Sequence, residues 1–196
     1  MKPIPMSRLT LTLIVAVLGA LAGPVFAQKL APAQSEIGFA IKQMGVPVEG
    51  KFKKFDAQIT LDPRKPQDGK VAFSIDTASA GFGSPETDAE VPKAPWFNTA
   101  KFPQATFQSS AIKGLGGGKF EVSGKLAIKG QTRDVVVPVQ LTQAGAGAAA
   151  VSTATGSFAI KRLEFKIGEG EWADTGMVAN EVQVKFKLAL TGMAPI

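Results

Sequence analysis

The sequence contains no cysteine, no histidine and no tyrosine among its 196 residues. Without cysteine the chain can form no disulfide, no thiolate nucleophile and no lipid-modified N-terminal cysteine, so packing alone must stabilise the fold. Without histidine, the familiar triads, imidazole proton shuttles and most zinc sites also lose required groups. We therefore predict a protein that is not an enzyme, with no catalytic residues, no metal site and no cofactor.

Carboxylates are the remaining acid–base candidates. A short proline-initiated helix predicted over 84–91 carries three of them, Glu86, Asp88 and Glu90. Glu86 and Glu90 share a helix face, but nothing nearby in the sequence predicts a cleft that would separate their pKa values. No spacing matches a calcium-binding loop. We interpret these residues as a solvated helix face, while an enzyme that uses Glu or Asp stays as an alternative.

The N-terminal segment has the pattern of an export signal. Lys2 and Arg8 supply a positive region, and the apolar stretch at 9–21 is too short to span a bilayer. Small residues up to Ala27 form a cleavage motif, so we predict a signal peptide over 1–27 and one domain over 28–196. Removal of the signal takes the basic count from 22 to 20 against 16 acidic residues, which lowers the net charge from +6 to +4. The mature protein is therefore only mildly basic.

The mature chain consists of short alternating segments separated by glycine, proline, aspartate and lysine, which is typical of an all-β domain. The segment 182–190 is the clearest, because apolar and polar residues alternate without error. A parity change at Lys53-Lys54 indicates a bulge or a corner, and the glycines at 114–118 indicate a hairpin turn rather than a phosphate-binding loop. About eight antiparallel strands with one short helix predict a barrel or a sandwich.

Large apolar side chains are abundant, with 13 phenylalanines and two tryptophans. The phenylalanines on the inward parity of predicted strands are Phe39, Phe52, Phe73, Phe107, Phe120, Phe158 and Phe186. Such rings can fill a core completely, but a barrel of about eight strands can also hold one ligand. The basic residues are mainly scattered lysines without interleaved aromatics, so we expect no nucleic acid partner.

Four segments of the mature chain carry recognisable motifs. They are 35–45 with SEIGFAIKQMG, 49–57 with EGKFKKFDA, 94–110 with APWFNTAKFPQATFQSS and 124–135 with GKLAIKGQTRDV. In combination they resemble the opening strand, the G-x-F-x-x-F-x-G stretch, the aromatic–asparagine–lysine–aromatic–proline signature and the G-x-L-T-I-x-G-x-T-x-x-V stretch of the YceI family of exported lipid-binding proteins. The resemblance extends from Ser35 to Gly192.

The resemblance implies a lipocalin-like antiparallel barrel in the periplasm, whose cavity accepts a polyisoprenoid tail with the head group near its mouth. An isoprenoid phosphate and a quinone are both open as ligands. The chain departs from the family pattern where Thr87 and Glu90 replace a basic residue and a histidine of the helical segment. The segment 161–166 keeps the arginine of the family's N-R-x-x-F-G stretch but not its glycine.

We predict three sets of ligand-binding residues on this basis. The apolar cavity would be lined by Phe39, Met44, Phe52, Phe73, Phe107, Phe158, Ile160 and Phe165. The entrance would be surrounded by Trp96, Phe97, Phe102 and Trp172. Arg162 or Lys42 would contact the head group.

The function predicted from the resemblance is that of a binding or carrier protein that sequesters or transports a long-chain isoprenoid amphiphile. A redox-lipid role with a membrane cytochrome as partner is an extension of the same resemblance. The alternative is a ligand-free, stress-related interaction module with a filled barrel core, in which the loop around Trp96 binds a protein partner. The oligomeric state stays open.

Overall fold

The computed structural model describes residues 27–196, so the signal peptide predicted over 1–27 lies, except for Ala27, outside the described residues. The described chain is built almost entirely of β-strands. The strands are β1 (Lys29–Leu30), β2 (Glu36–Gln43), β3 (Val46–Phe52), β4 (Phe55–Thr60), β5 (Lys70–Asp76), β6 (Ala80–Gly81), β7 (Gln104–Gly116), β8 (Lys119–Ile128), β9 (Gln131–Ala144), β10 (Val151–Lys161) and β11 (Val178–Thr191). The α-helix is α1 (Pro85–Glu90), and the 3-10 helices are Pro32–Gln34, Pro66–Asp68, Thr77–Ser79, Gly147–Ala149, Arg162–Phe165 and Gly170–Ala173.

The strands form one antiparallel sheet in the order β4-β5-β7-β8-β9-β10-β11-β2-β3-β6, with β1 paired to β11. The sheet curls into a half-barrel, which confirms the predicted antiparallel barrel-like fold. Two of its strands, β1 and β6, have only two residues each and carry no alternation that a sequence pattern could detect.

The predicted break at Lys53-Lys54 is a corner. It separates β3 from β4, which lie toward opposite ends of the sheet order and do not pair with each other in the described chain. The backbone N–H of Lys53 donates to the Ser79 carbonyl at 3.1 Å, and that of Lys54 donates to the Ser79 hydroxyl at 3.0 Å. The segment between β5 and β7 therefore satisfies the corner's backbone groups in place of a neighbouring strand.

Strict alternation along the long strands places one apolar face on the inside of the curled sheet. On β8, Phe120, Val122, Leu126 and Ile128 are all buried, and on β11 Leu188 and Leu190 are buried as well. The first half of strand β10 presents the small residues Ser152, Ala154 and Gly156 inward, so large inward side chains begin only at Phe158. The register pairs Gly156 of β10 with Phe186 of β11, so the ring lies over a glycine.

The connection 77–103 between β5 and β7 carries β6 and α1 and covers one end of the curled sheet. Helix α1 begins after Ser84, whose hydroxyl accepts the backbone N–H of Thr87, and Pro85 is its first residue, as predicted. Val91, directly after the helix, is buried against Phe39 and Ala80. None of the helices in the described residues has the length and apolar character to cross a membrane.

Candidate binding cavity

The curled sheet encloses a cavity of about 420 Å³. This volume lies within the range of about 300–1,000 Å³ that is usual for small-molecule sites. Inward side chains from all strands except the two-residue β1 and β6 line the cavity, and nearly all of them are aliphatic or aromatic. The interior is therefore open rather than filled by its phenylalanines, and it offers apolar surface to a ligand.

The polar residues of the lining are Gln43, Glu86, Thr87, Glu90 and Arg162. All come from one end of the sheet. Gln43 ends β2 and pairs with Val178 at the start of β11, while Arg162 directly follows β10, so antiparallel pairing brings these three positions together. The other three polar residues come from α1, and Val91, directly after this helix, packs with Phe97 and Val182 near the same end. The opposite end is lined by apolar residues such as Ile112, Leu141, Leu190 and Met193, so the cavity has one polar and one apolar end.

Arg162 lines the polar end but is only 1% exposed. Its Nε donates to the carbonyl of Ala179 at 3.0 Å. Its two terminal nitrogens donate to Ile167 at 2.9 Å, Gly168 at 3.1 Å, Trp172 at 2.7 Å and Val178 at 2.7 Å, in each case to the backbone carbonyl. Burial lowers the pKa of Arg162, while five carbonyl acceptors hold the guanidinium as a cation. Its hydrogen-bonding capacity is therefore used within the protein.

Two of the three carboxylates of α1, those of Glu86 and Glu90, line the cavity and are also exposed to solvent. The backbone N–H of Glu86 itself, together with the Ser84 hydroxyl at 2.9 Å, lowers the pKa of the Glu86 carboxyl. Glu90 accepts a hydrogen bond from the exposed ammonium of Lys93. The predicted solvated helix face is thus also the acidic rim of the cavity, because Glu86 and Glu90 share the side of α1 that faces it.

Lys129 ties together the loops at this end of the sheet. It lies in the turn between β8 and β9, and its side chain is 5% exposed. Its ammonium donates to the carbonyls of Ala94 at 2.8 Å and Lys166 at 2.6 Å, and to the carboxylate of Glu169 at 2.9 Å. The hydrogen bond from Lys129 to Glu169 is the largest cause of the lowered pKa of the Glu169 carboxyl.

The loops held by Lys129 carry the two tryptophans of the entrance. The indole rings of Trp96 and Trp172 lie with their centroids 5.5 Å apart, and both rings line the cavity. Phe97 also lines it and meets Phe52 edge-on at 6.1 Å. Three of the four predicted entrance residues are therefore together at the polar end.

Most of the residues predicted for the tail site lie in the lining. They are Phe39, Phe52, Phe73, Phe107, Phe158 and Ile160. Met44 does not line the cavity, because β2 ends at Gln43 and Met44 takes a left-handed backbone conformation in the following turn, 69% exposed. Phe165 is buried, but in the layer between the sheet and the loop after β10, where the guanidinium of Arg133 lies 5.9 Å from its ring centroid.

Two further predicted residues also lie outside the lining. Phe102 packs beside Gly130, and the Lys101 ammonium lies 5.4 Å from its ring centroid. Phe102 therefore packs against the β8–β9 turn instead of the entrance. Lys42 points outward and is exposed, because its inward neighbours on β2 are Ile41 and Gln43. Neither of the residues predicted to contact the head group offers a free cation to the cavity.

Sequence reasoning missed Gln43 and the inward-facing roles of Glu86 and Glu90. The alternation of β2 could have indicated Gln43, since it continues the inward parity of Phe39 and Ile41. Lys129 was missed because its partners are three segments that are distant in sequence. In the described part of the chain, no group of three or more His, Cys, Asp or Glu side chains is arranged to hold a metal ion.

Known proteins resemble this chain in sequence and in fold. A UPF0312 protein of Azotobacter vinelandii is 33% identical over 110 residues, an alignment that covers 56% of this chain and 57% of that protein. The chain thus spans less than two thirds of the length of this relative. The crystal structure of Burkholderia cenocepacia BcnA superposes with a TM-score of 0.76 at 46% identity, covering 82% of this chain and 99% of BcnA.

A more distant neighbour shares the fold alone. It is a polyisoprenoid-binding domain from Saccharophagus degradans implicated in plant cell wall breakdown, with a TM-score of 0.68 at 18% identity, covering 86% of this chain and 99% of that domain. The model of the YceI-like domain matches residues 28–190, which is nearly the whole described chain. This chain therefore belongs to the YceI-like family.

Proposed function

We propose that the protein is a periplasmic binding protein that sequesters or carries a long-chain isoprenoid amphiphile, a polyprenyl phosphate or a quinone. The observation that carries the proposal is the polarity of the cavity. An amphiphile needs an apolar chamber for its tail and polar groups where the head group emerges, and the cavity offers the two at opposite ends.

Tail burial supplies ample affinity for such a ligand. Each buried methylene contributes about 0.8 kcal/mol, so the carbons of four isoprene units would together contribute at most roughly 16 kcal/mol. Ordering of the flexible tail and the cost of association offset part of this gain. A medium-length prenyl chain is therefore enough for stable binding without any strong head-group contact.

The family supports the same ligand class. A domain with this fold is described as polyisoprenoid-binding, and the inward phenylalanines that carry the resemblance also line the cavity here. We infer that the ligand is held rather than chemically converted, because the hydroxyl that is paired with a carboxylate at this end, that of Ser84 with Glu86, lies outside the lining formed by the described residues. The exported location and the membrane cytochrome partner stay predictions from the sequence.

Extraction of the purified mature protein tests the proposal directly. Lipid is extracted into an organic phase and analysed by mass spectrometry, and the emptied protein is then titrated with a quinone and with a prenyl phosphate. We expect one prenyl-tailed molecule per protein or saturable uptake of an added ligand. An empty extract combined with no uptake would contradict the proposal.

A matched pair of variants on β11 locates the tail. Val184 points into the cavity between Phe39 and Phe158, whereas Lys185 is exposed on the outer face. Val184→Trp fills the chamber, and we expect it to lower the affinity for a prenyl ligand at least tenfold, while Lys185→Trp leaves it unchanged. Circular dichroism confirms that both variants fold. Equal binding by the two variants would place the tail elsewhere.

The alternative of an interaction module with a filled core requires an interior without a void. The interior instead contains a cavity of about 420 Å³. A protein partner at the Trp96 loop is compatible with ligand binding, but no separate observation favours it.

A further inference from the structure

The cations near the polar end of the cavity already have partners. Arg162 donates to five backbone carbonyls. The ammonium of Lys129 is held by Glu169 and by backbone carbonyls of the loops, and that of Lys93 lies against Glu90. Arg162 is the sole basic residue in the lining formed by the described residues. An anionic head group would therefore find no cationic side chain with an unused N–H donor in the lining formed by the described residues.

The carboxylates of the polar end have few cationic partners. In the described chain Glu86 forms no ion pair, and its own backbone N–H and the Ser84 hydroxyl favour its ionised form. Glu90 shares its charge with one exposed lysine only. The polar residues Thr87 and Gln43 line the same cavity. The lining of the polar end thus carries two carboxylates and one guanidinium, a net formal charge of −1, and the two carboxylates lie at its solvent-exposed rim.

Charge at such a rim acts on a head group at short range. Water on the outer side partly screens the charge of the carboxylates, whereas the apolar walls on the inner side do not. An anionic head group within a few ångströms of a carboxylate therefore binds about tenfold to a hundredfold more weakly than a neutral one. A hydroxyl or an amine instead donates a hydrogen bond to an ionised carboxylate, which is among the stronger hydrogen bonds in proteins.

We infer that the cavity selects isoprenoid ligands whose head group is not anionic and donates hydrogen bonds, and that Glu86 and Glu90 determine this selectivity. The inference rests on the proposed function and narrows its ligand class. A prenol or a hydroquinone satisfies both conditions, whereas a prenyl phosphate is repelled. A quinone, which offers acceptors only, binds more weakly than its hydroquinone.

The test uses two probes with the same tail. Delipidated mature protein is titrated with geranylgeraniol and with geranylgeranyl phosphate at low salt, and we expect the alcohol to bind at least tenfold more tightly. In Glu86→Gln/Glu90→Gln the ratio of the two dissociation constants should fall toward one, because two like charges are gone and Lys93 is freed. Raising the ionic strength should reduce the ratio in the unmodified protein.

A second double variant controls for net charge. Glu49 on β3 and Glu181 on β11 are exposed, lie outside the lining and belong to strands that reach the same end. Glu49→Gln/Glu181→Gln changes the net charge equally, and we expect it to keep the preference for the alcohol. Decylubiquinol and decylubiquinone, compared under reducing and oxidising conditions, test the donor requirement with a second head group.

The outcomes separate the inference from the proposed function. Equal binding of the alcohol and the phosphate, or a ratio that does not change in Glu86→Gln/Glu90→Gln, would overturn the inference while leaving the prenyl-binding function in place. Failure of both probes and both quinone forms to bind would overturn the proposed function itself. A ratio that falls equally in the control variant would show that overall charge, and not the rim, governs selection.

Discussion

Arg162 offers the sharpest test of how the polar end is built. The sequence suggests a head-group ligand, whereas the structure shows a buried guanidinium whose five donors each meet a backbone carbonyl. Replacing Arg162 with methionine keeps much of the side-chain volume but removes every donor. We expect Arg162→Met to destabilise the fold rather than to alter ligand selectivity.

The magnitude follows from the acceptors left behind. Each buried carbonyl that loses its partner costs about 1–3 kcal/mol, and entering water can satisfy those nearest the surface. If two of the five stay without a partner, the loss is about 2–6 kcal/mol. With a urea m-value of about 2 kcal/mol/M, the unfolding midpoint falls by roughly 1–3 M.

Urea unfolding of the mature protein, followed by tryptophan fluorescence, measures this change. Trp172 is a suitable reporter because its carbonyl is one of the five acceptors. Arg162→Lys is the matched control, since an ammonium supplies three donors and should recover part of the loss. A midpoint within about 0.3 M of the unmodified protein, together with lost binding of a prenyl phosphate, would refute the structural role and restore the head-group role.

Two further predictions concern the interior and the loop clamp. A Cβ at Gly156 would lie 2.4 Å from the ring of Phe186 and 2.3 Å from the Pro138 carbonyl oxygen, so Gly156→Ala should lower the thermal midpoint by several degrees and reduce prenyl binding as the ring shifts. Glu169, whose pKa is lowered first by the hydrogen bond from Lys129, stabilises the folded state above its unfolded pKa. This contribution is lost as the pH falls below 4.5 through the lower folded value, so the stability difference between unmodified protein and Glu169→Gln should be present at pH 7 and vanish in acid. A difference that persists at pH 3 would contradict the assigned role.

The sequence predicts the tail chamber well because one physical rule governs it. Strand alternation alone assigns inward positions, and the seven phenylalanines on inward parities all line the cavity. The same rule exposes an inconsistency in the predicted site. Phe39 and Ile41 place Gln43 inward, so Lys42 faces outward, and Met44 lies beyond the end of the strand.

The polar end could not be predicted in the same way because no periodicity governs it. Arg162, Lys129 and α1 come from connections whose positions are fixed by hydrogen bonds between segments far apart in sequence. The sequence shows an arginine at this position, but it does not show whether its N–H groups donate to a ligand or to the backbone. That depends on which carbonyl groups the fold places around it. Alternation indicates the corner at Lys53-Lys54, but it does not indicate that β3 and β4 lie toward opposite ends of the sheet order.

The chamber is formed by paired strands and the polar end mainly by connecting segments. Recognition of the tail and recognition of the head group can therefore vary independently. The chamber is formed by inward residues of paired strands, where a substitution disturbs packing on both sides and changes stability. The rim is formed by exposed carboxylates on a six-residue helix, where Glu86 and Glu90 can change with little effect on the core. Two proteins with the same curled sheet and the same inward phenylalanines can therefore bind the same tail yet select different head groups. Under the proposed function, the charges on α1 are consequently a better guide to the head group than the fold that this chain shares with its relatives.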